Sequence, residues 1–269
     1  MSIKRTMGRL AIAMATVGLM TAAMAETTVA YITNGNTNEG WTLINGGAKK
    51  AGQAKGVKFI ELAAEKGELS KQLAIVEDMI TRKVNAIAIA PVDSAGIAPA
   101  INKALAAGIK VVAVDTGISG AKITSYVATD NIKAAMVQGD WAAGQVKDGD
   151  TVIYITGDLG QSTGQERKKG FLDGLNAKRK NVKVVEVSTT WDQTMAQNGV
   201  ETALRANPGV KVIACAWDGG ALGAKAALMA AGKKAGEVMI AGFDGSPGGL
   251  DMMKQGWQSA NAAQMLAKI

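Results

Sequence analysis

The chain has 269 residues, 33 of them Gly and only 4% aromatic, with no His and a single Cys, Cys215. Without His there is no Ser-His-Asp or Cys-His catalytic pair, no His-based zinc site and no imidazole base, and one Cys cannot close an intrachain disulfide. The net charge of +7 is spread without a basic run that interleaves aromatics, which argues against a nucleic-acid partner.

Residues 1–25 carry Lys4, Arg5 and Arg9, then an apolar stretch from Leu10 to Met20 too short to span a bilayer, then Ala23-Met24-Ala25. This is the pattern of a secretory signal peptide cleaved after Ala25, so an exported, periplasmic protein is expected. No Cys follows the apolar stretch, so nothing marks a lipoprotein. Residues 26–269 suit two domains of about 100–150 residues each.

Short β-branched runs then alternate with longer Ala- and Leu-rich segments. Strands are predicted at 28–33, 56–62, 84–90, 110–115, 123–128, 151–156, 182–188, 210–216 and 237–243. Each is a nearly continuous apolar run, as in a parallel strand buried on both faces. Helices are predicted at 41–54, 68–82, 95–107, 131–146, 163–178, 195–206, 219–231 and 247–255. In 68–82, apolar Leu69, Leu73, Val76, Met79 and Ile80 recur at helical spacing. Asp93 or Ser94 is the expected cap of the third helix, and Asp192 or Thr194 that of the sixth. The alternation implies an α/β chain of two doubly wound parallel-sheet domains. The segment from Val84 to Gly117 is echoed by that from Val210 to Ser246, strand, acidic loop, Ala-rich helix, strand. Two similar halves facing each other would leave a cleft. The expected domains are 26–129 plus 265–269, and 130–264.

Ligands of open α/β sheets bind beyond the carboxyl ends of the strands. Those ends carry Asn36, Asn38 and Trp41 after the first strand, Asp115 and Thr116 after the fourth, and Arg167 a turn into the helix after the sixth. Trp191 and Asp192 follow the seventh, Trp217 and Asp218 the eighth, and Phe243 and Asp244 the ninth. Flat rings can cover the apolar faces of a sugar, while carboxylates, amides and a guanidinium bond its hydroxyls. Trp141, in a helix, and Trp257, in a late strand-like segment, read as packing residues, and Cys215 as an inert core thiol. Neither a dinucleotide-binding G-x-G-x-x-G nor a P-loop is present.

The Asn-rich loop ending NEGW, APVDSAGI, GIKVVAVD, YVATDN, GQERKKGF and AGFDGSP together resemble the pentose- and hexose-binding periplasmic proteins of ABC importers, from about Thr27 to Ile269. The resemblance implies a type I periplasmic binding protein fold, a monosaccharide or polyol ligand, an inner-membrane permease as partner, no cofactor and no catalysis. A monomer is expected. It implies ligand contacts at Asn38, Trp41, Asp115, Arg167, Trp191 and Asp244, and at Gln264 near the hinge. Two positions depart from the ribose-binding pattern, Thr116 where it has Arg and Trp217 where it has Asn. A polyol, a hexose or another pentose is therefore as much expected as ribose. Family members continue past Gln264, whereas this sequence ends in MLAKI, so a C-terminally truncated chain is expected. A sensor that presents its ligand to a chemoreceptor or signalling kinase, and a cleft enzyme, are the alternatives.

Overall fold

The structure, a computed structural model, describes residues 26–35 and 38–269. The expected signal peptide and Asn36 lie outside the described residues. The strands are β1 (Thr28–Thr33), β2 (Lys58–Ala63), β3 (Ala86–Ile89), β4 (Lys110–Val114), β5 (Ser125–Val127), β6 (Thr151–Ile155), β7 (Lys183–Val187), β8 (Val212–Cys215), β9 (Met239–Asp244) and β10 (Gln258–Ala263). The helices are α1 (Glu39–Lys55), α2 (Leu69–Thr81), α3 (Ala98–Ala106), α4 (Asn131–Gln145), α5 (Ser162–Lys178), α6 (Gln193–Ala206), α7 (Asp218–Ala230) and α8 (Pro247–Lys254).

The strands form two all-parallel sheets, ordered β2-β1-β3-β4-β5 and β10-β9-β8-β6-β7. Counted within its own half, the second order is that of the first read backwards, so both lobes have one topology. The echo seen in the sequence pairs β3-α3-β4 with β8-α7-β9, which occupy equivalent places in the two sheets. Strand order reverses between β1 and β3 and again between β6 and β8. At such points the outgoing loops diverge and leave a crevice.

All nine expected strands and eight helices occur, and the late strand-like segment after Trp257 becomes β10. Burial on both faces holds for the central strands only. The edge strand β2 is half-exposed and β5 is exposed throughout, because an edge strand has a neighbour on one side alone. The third helix begins later than expected. Asp93 Oδ1 accepts from the Ala95 and Gly96 amides, which makes a turn that delays α3 to Ala98. Asp192 caps α6 by accepting from the Met195 amide at 2.7 Å.

Each lobe has its own apolar core. In the second, Tyr154 and Phe171 stack 4.5 Å apart between β6 and α5. Helices α4 and α5 meet almost backbone to backbone. A Cβ on Gly139 would lie 2.1 Å from the Phe171 carbonyl oxygen, and one on Gly174 2.1 Å from that of Met136. Glycine is needed at both positions for this approach, and it is α5 that carries Arg167 into the space between the sheets. Cys215 is fully buried, and burial pushes its thiol up.

Candidate functional site between the lobes

The carboxyl ends of the two sheets face each other across a pocket. It is lined by Asn38, Gly40, Trp41, Ile44, Asp115 and Leu266, and by Gln161, Thr163, Arg167, Trp191, Trp217, Asp244 and Gln264. The seven ligand contacts that the resemblance implies are all in this lining, and so is Trp217. Thr116, the other departure from the ribose-binding pattern, lies behind it. Its side chain is fully buried, bonded to Asp115 Oδ2 and Thr163 Oγ1, both at 3.2 Å.

Arg167 is the polar centre of the pocket. It is 3% exposed. Its Nε donates to Asn131 Oδ1 at 2.8 Å, and Nη1 donates to the Ala216 carbonyl at 2.8 Å and to Asp244 Oδ1 at 3.3 Å. Nη2 stands 4.0 Å from Asp115 Oδ1 of the first lobe. The guanidinium is stacked 4.0 Å over the Phe243 ring centroid and 5.6 Å from that of Trp191, which holds the fork flat. A desolvated cation so bonded and flanked by two carboxylates is compatible with hydroxyl ligands and leaves little positive charge for an acid.

Three wall residues come off their strands with positive φ, Asp115 at 61°, Trp191 at 61° and Asp244 at 119°. They are three of only five such non-glycine residues among those described. The conformation is strained for an L-residue and persists where surrounding contacts over-determine it. It turns each side chain out of the strand direction toward the pocket. Asp115 is anchored through its backbone, its carbonyl accepting from the Tyr126 hydroxyl at 2.9 Å. Asp244 accepts from Gln264 Nε2 at 2.6 Å and from the Asp218 amide at 3.4 Å. Burial pushes the Asp115 carboxyl up and that of Asp244 up to about 7, each against the pull of Arg167.

The rings make three walls. Trp41 rides on the first turn of α1, its amide held by the Asn38 side chain at 3.0 Å. Trp191 meets Trp217 edge to face at 5.4 Å. Trp217, 2% exposed, is wedged against Gly219 and Gly220. Trp191 lies on Gly157, where a Cβ would fall 2.0 Å from the indole. Gln264 joins a strand end to the chain crossing between lobes, since its Oε1 accepts from Thr129 Oγ1 at 2.7 Å.

Reading strand ends did not single out Gln161, Thr163 or Ile44. Gln161 ends the post-β6 loop and Thr163 is in the first turn of α5, one turn before Arg167, so their position was the available signal; Ile44 is one helical turn past Trp41. Asp218, expected at a strand end, is a support rather than part of this lining. Its carboxylate accepts from the Ser246 amide at 2.8 Å and from Asn261 Nδ2 at 2.6 Å, and so ties β10 to the loop after β9. Among the described residues no group of acids and Cys is placed to hold a metal ion.

The sequence profile of the periplasmic binding protein domain matches residues 29–268. The chain is 32% identical over 247 residues to the ribose import binding protein of Salmonella typhimurium, covering 92% of this chain and 82% of that protein. Among solved structures, an Actinobacillus succinogenes ABC transporter solute-binding protein with bound D-allose superposes with a TM-score of 0.81 at 30% identity, over 90% of this chain and 87% of the other. The Caulobacter myo-inositol binding protein, bound to myo-inositol, gives 0.85 at 28%, over 90% and 82%. Two parallel sheets meeting at their carboxyl ends, and a profile match over nearly all of the described residues, lead to one statement of kinship: the chain belongs to the periplasmic binding protein family.

Proposed function

We propose that this protein is the binding component of an ABC importer and takes up one uncharged monosaccharide or cyclic polyol between its lobes in the periplasm. The observation that carries this reading is the composition of the pocket. Three indole walls surround two carboxyl groups, three side-chain amides and one guanidinium flanked by both carboxyls. Rings cover the C–H faces of a pyranose or cyclitol, and the polar groups exchange hydrogen bonds with its hydroxyls. Asn38, Trp41 and Asp115 serve from one lobe, Arg167, Trp191, Trp217 and Asp244 from the other, and Gln264 from the crossing. Thr116 acts through Asp115. The relatives named above are a ribose import binding protein and proteins with bound D-allose and myo-inositol, and this pocket has the rings and polar groups that suit the same class.

In this reading the ligand bridges the lobes, the closed form docks on a membrane permease, and the cleft performs no chemistry. Titration calorimetry against pentoses, hexoses, inositols and linear polyols tests it. A micromolar ligand recovered chemically unaltered is expected. A folded protein that binds none of them tighter than millimolar, or that converts the sugar, would overturn the assignment.

A further inference from the structure

We propose that Gln161 is a positioning residue that couples the orientation of the Trp191 ring to closure of the lobes. The inference rests on reading Trp191 as a ligand-stacking wall. Gln161 is 5% exposed, in the loop between β6 and α5. Its Oε1 accepts from Trp191 Nε1 at 2.8 Å within its own lobe. Its Nε2 donates to the Val92 carbonyl, in the other lobe, at 3.1 Å. An indole N–H can only donate and a carbonyl can only accept, so the two partners fix the amide's orientation and require both of its ends.

The bond to Val92 belongs to a seam made by one short segment of the second lobe. The Ser94 amide donates to the Gly160 carbonyl at 3.0 Å, and the Ser162 amide donates back to Ser94 Oγ at 2.9 Å. The Gly117 amide donates to Ser162 Oγ at 2.8 Å. Gly160 permits the approach, since a Cβ there would be 2.9 Å from Asp93 Oδ2. Within this seam Gln161 alone also bonds an aromatic wall of the pocket. A ring turned away from Gly157 withdraws its N–H from Oε1 and frees the amide to leave Val92. A ring held flat by a ligand keeps the amide across the seam.

Three variants test this. Gln161→Glu keeps the acceptor for the indole and removes the donor to Val92. Gln161→Leu removes both. Trp191→Phe keeps a ring and removes its N–H. Sugar dissociation is followed by stopped-flow tryptophan fluorescence, and the open–closed balance by X-ray scattering with and without sugar. Either Gln161 variant is expected to release sugar about tenfold faster, the size of one or two hydrogen bonds, and to scatter as a more open molecule. In the Trp191→Phe background, Gln161→Leu should have a smaller effect than in the wild type. Wild-type dissociation and scattering in both Gln161 variants, or strictly additive effects with Trp191→Phe, would overturn the coupling. If the wild-type protein bound no sugar, the functional reading would fall. Scattering of the free Gln161→Glu protein would still decide the seam, a larger radius than wild type supporting it and an equal one refuting it.

Discussion

Asp115, Trp191 and Asp244 hold backbone conformations that suit neither strand nor helix, and what they gain is direction. At the residue scale the pocket is a set of side chains aimed by strained turns and then locked by neighbours. Trp191 shows this most directly, because the missing Cβ at Gly157 makes the room in which its indole lies. Trp191→Ala should weaken sugar binding by about 1–3 kcal/mol, from lost apolar burial and stacking; calorimetry with an unchanged Kd would reduce Trp191 to scaffold. Asp244 makes a separate prediction about pH. Burial raises its carboxyl to about 7, whereas in the unfolded chain it titrates near pH ~4. Between these values the folded state binds more protons than the unfolded one, so stability falls as pH rises through the window and levels off above it. Asp244→Asn should flatten that part of the curve of urea midpoint against pH. An undiminished slope would move the effect to Asp115 or Glu166, whose carboxyls burial also raises.

At the scale of elements, the position of Arg167 depends on how α4 and α5 pack. Asn131, the first residue of α4, holds its Nε, and Gly139 and Gly174 let the two helices touch. Gly139→Ala or Gly174→Ala forces a methyl against a backbone oxygen. Each should cost about 1–3 kcal/mol of stability in urea unfolding, and sugar affinity should fall as the guanidinium shifts. A stable variant with normal affinity would show that the helices can part without moving the site. The helix ends were largely legible in the sequence, since Asp192 was an expected cap and is one. The start of α3 was not, because Asp93 could cap a helix or close a turn with equal chemistry. In the fold it closes the turn, and its carboxylate packs against Gly160 of the opposite lobe.

For the whole molecule, the same five-stranded topology occurs twice with its ligand-facing ends opposed. A ligand held between them contacts both lobes, so it stabilises the protein as a unit. Saturation at one hundred times Kd should raise the unfolding free energy by about 2.7 kcal/mol, accompanied by a smaller radius in scattering. Stabilisation of one lobe only, seen as a second unmoved unfolding transition, would contradict a shared site. The seam at Ser94, Gly117 and Gly160–Ser162 adds contacts between lobes that need no ligand, so its variants should move the radius of the free protein as well as that of the complex.

Composition, period and spacing were sufficient for the alternation of strands and helices, the two-lobe plan, the absence of imidazole chemistry and the location of polar and aromatic residues at strand ends. Those properties are local: apolar runs make strands, capped periodic segments make helices, and the loop after a parallel strand is confined to one edge of its sheet. Tertiary structure alone decided which of these residues share a surface. It set Thr116 behind Asp115, wedged Trp217 between glycines, made Asp218 a strut, and brought Gln161 within reach of both an indole and a carbonyl of the other lobe. The contacts of Asp218 and Gln161 join residues 28 to 69 positions apart, and their direction is set by a few φ angles at strand ends and by the close packing of two helices. Neither leaves a periodic mark on the sequence.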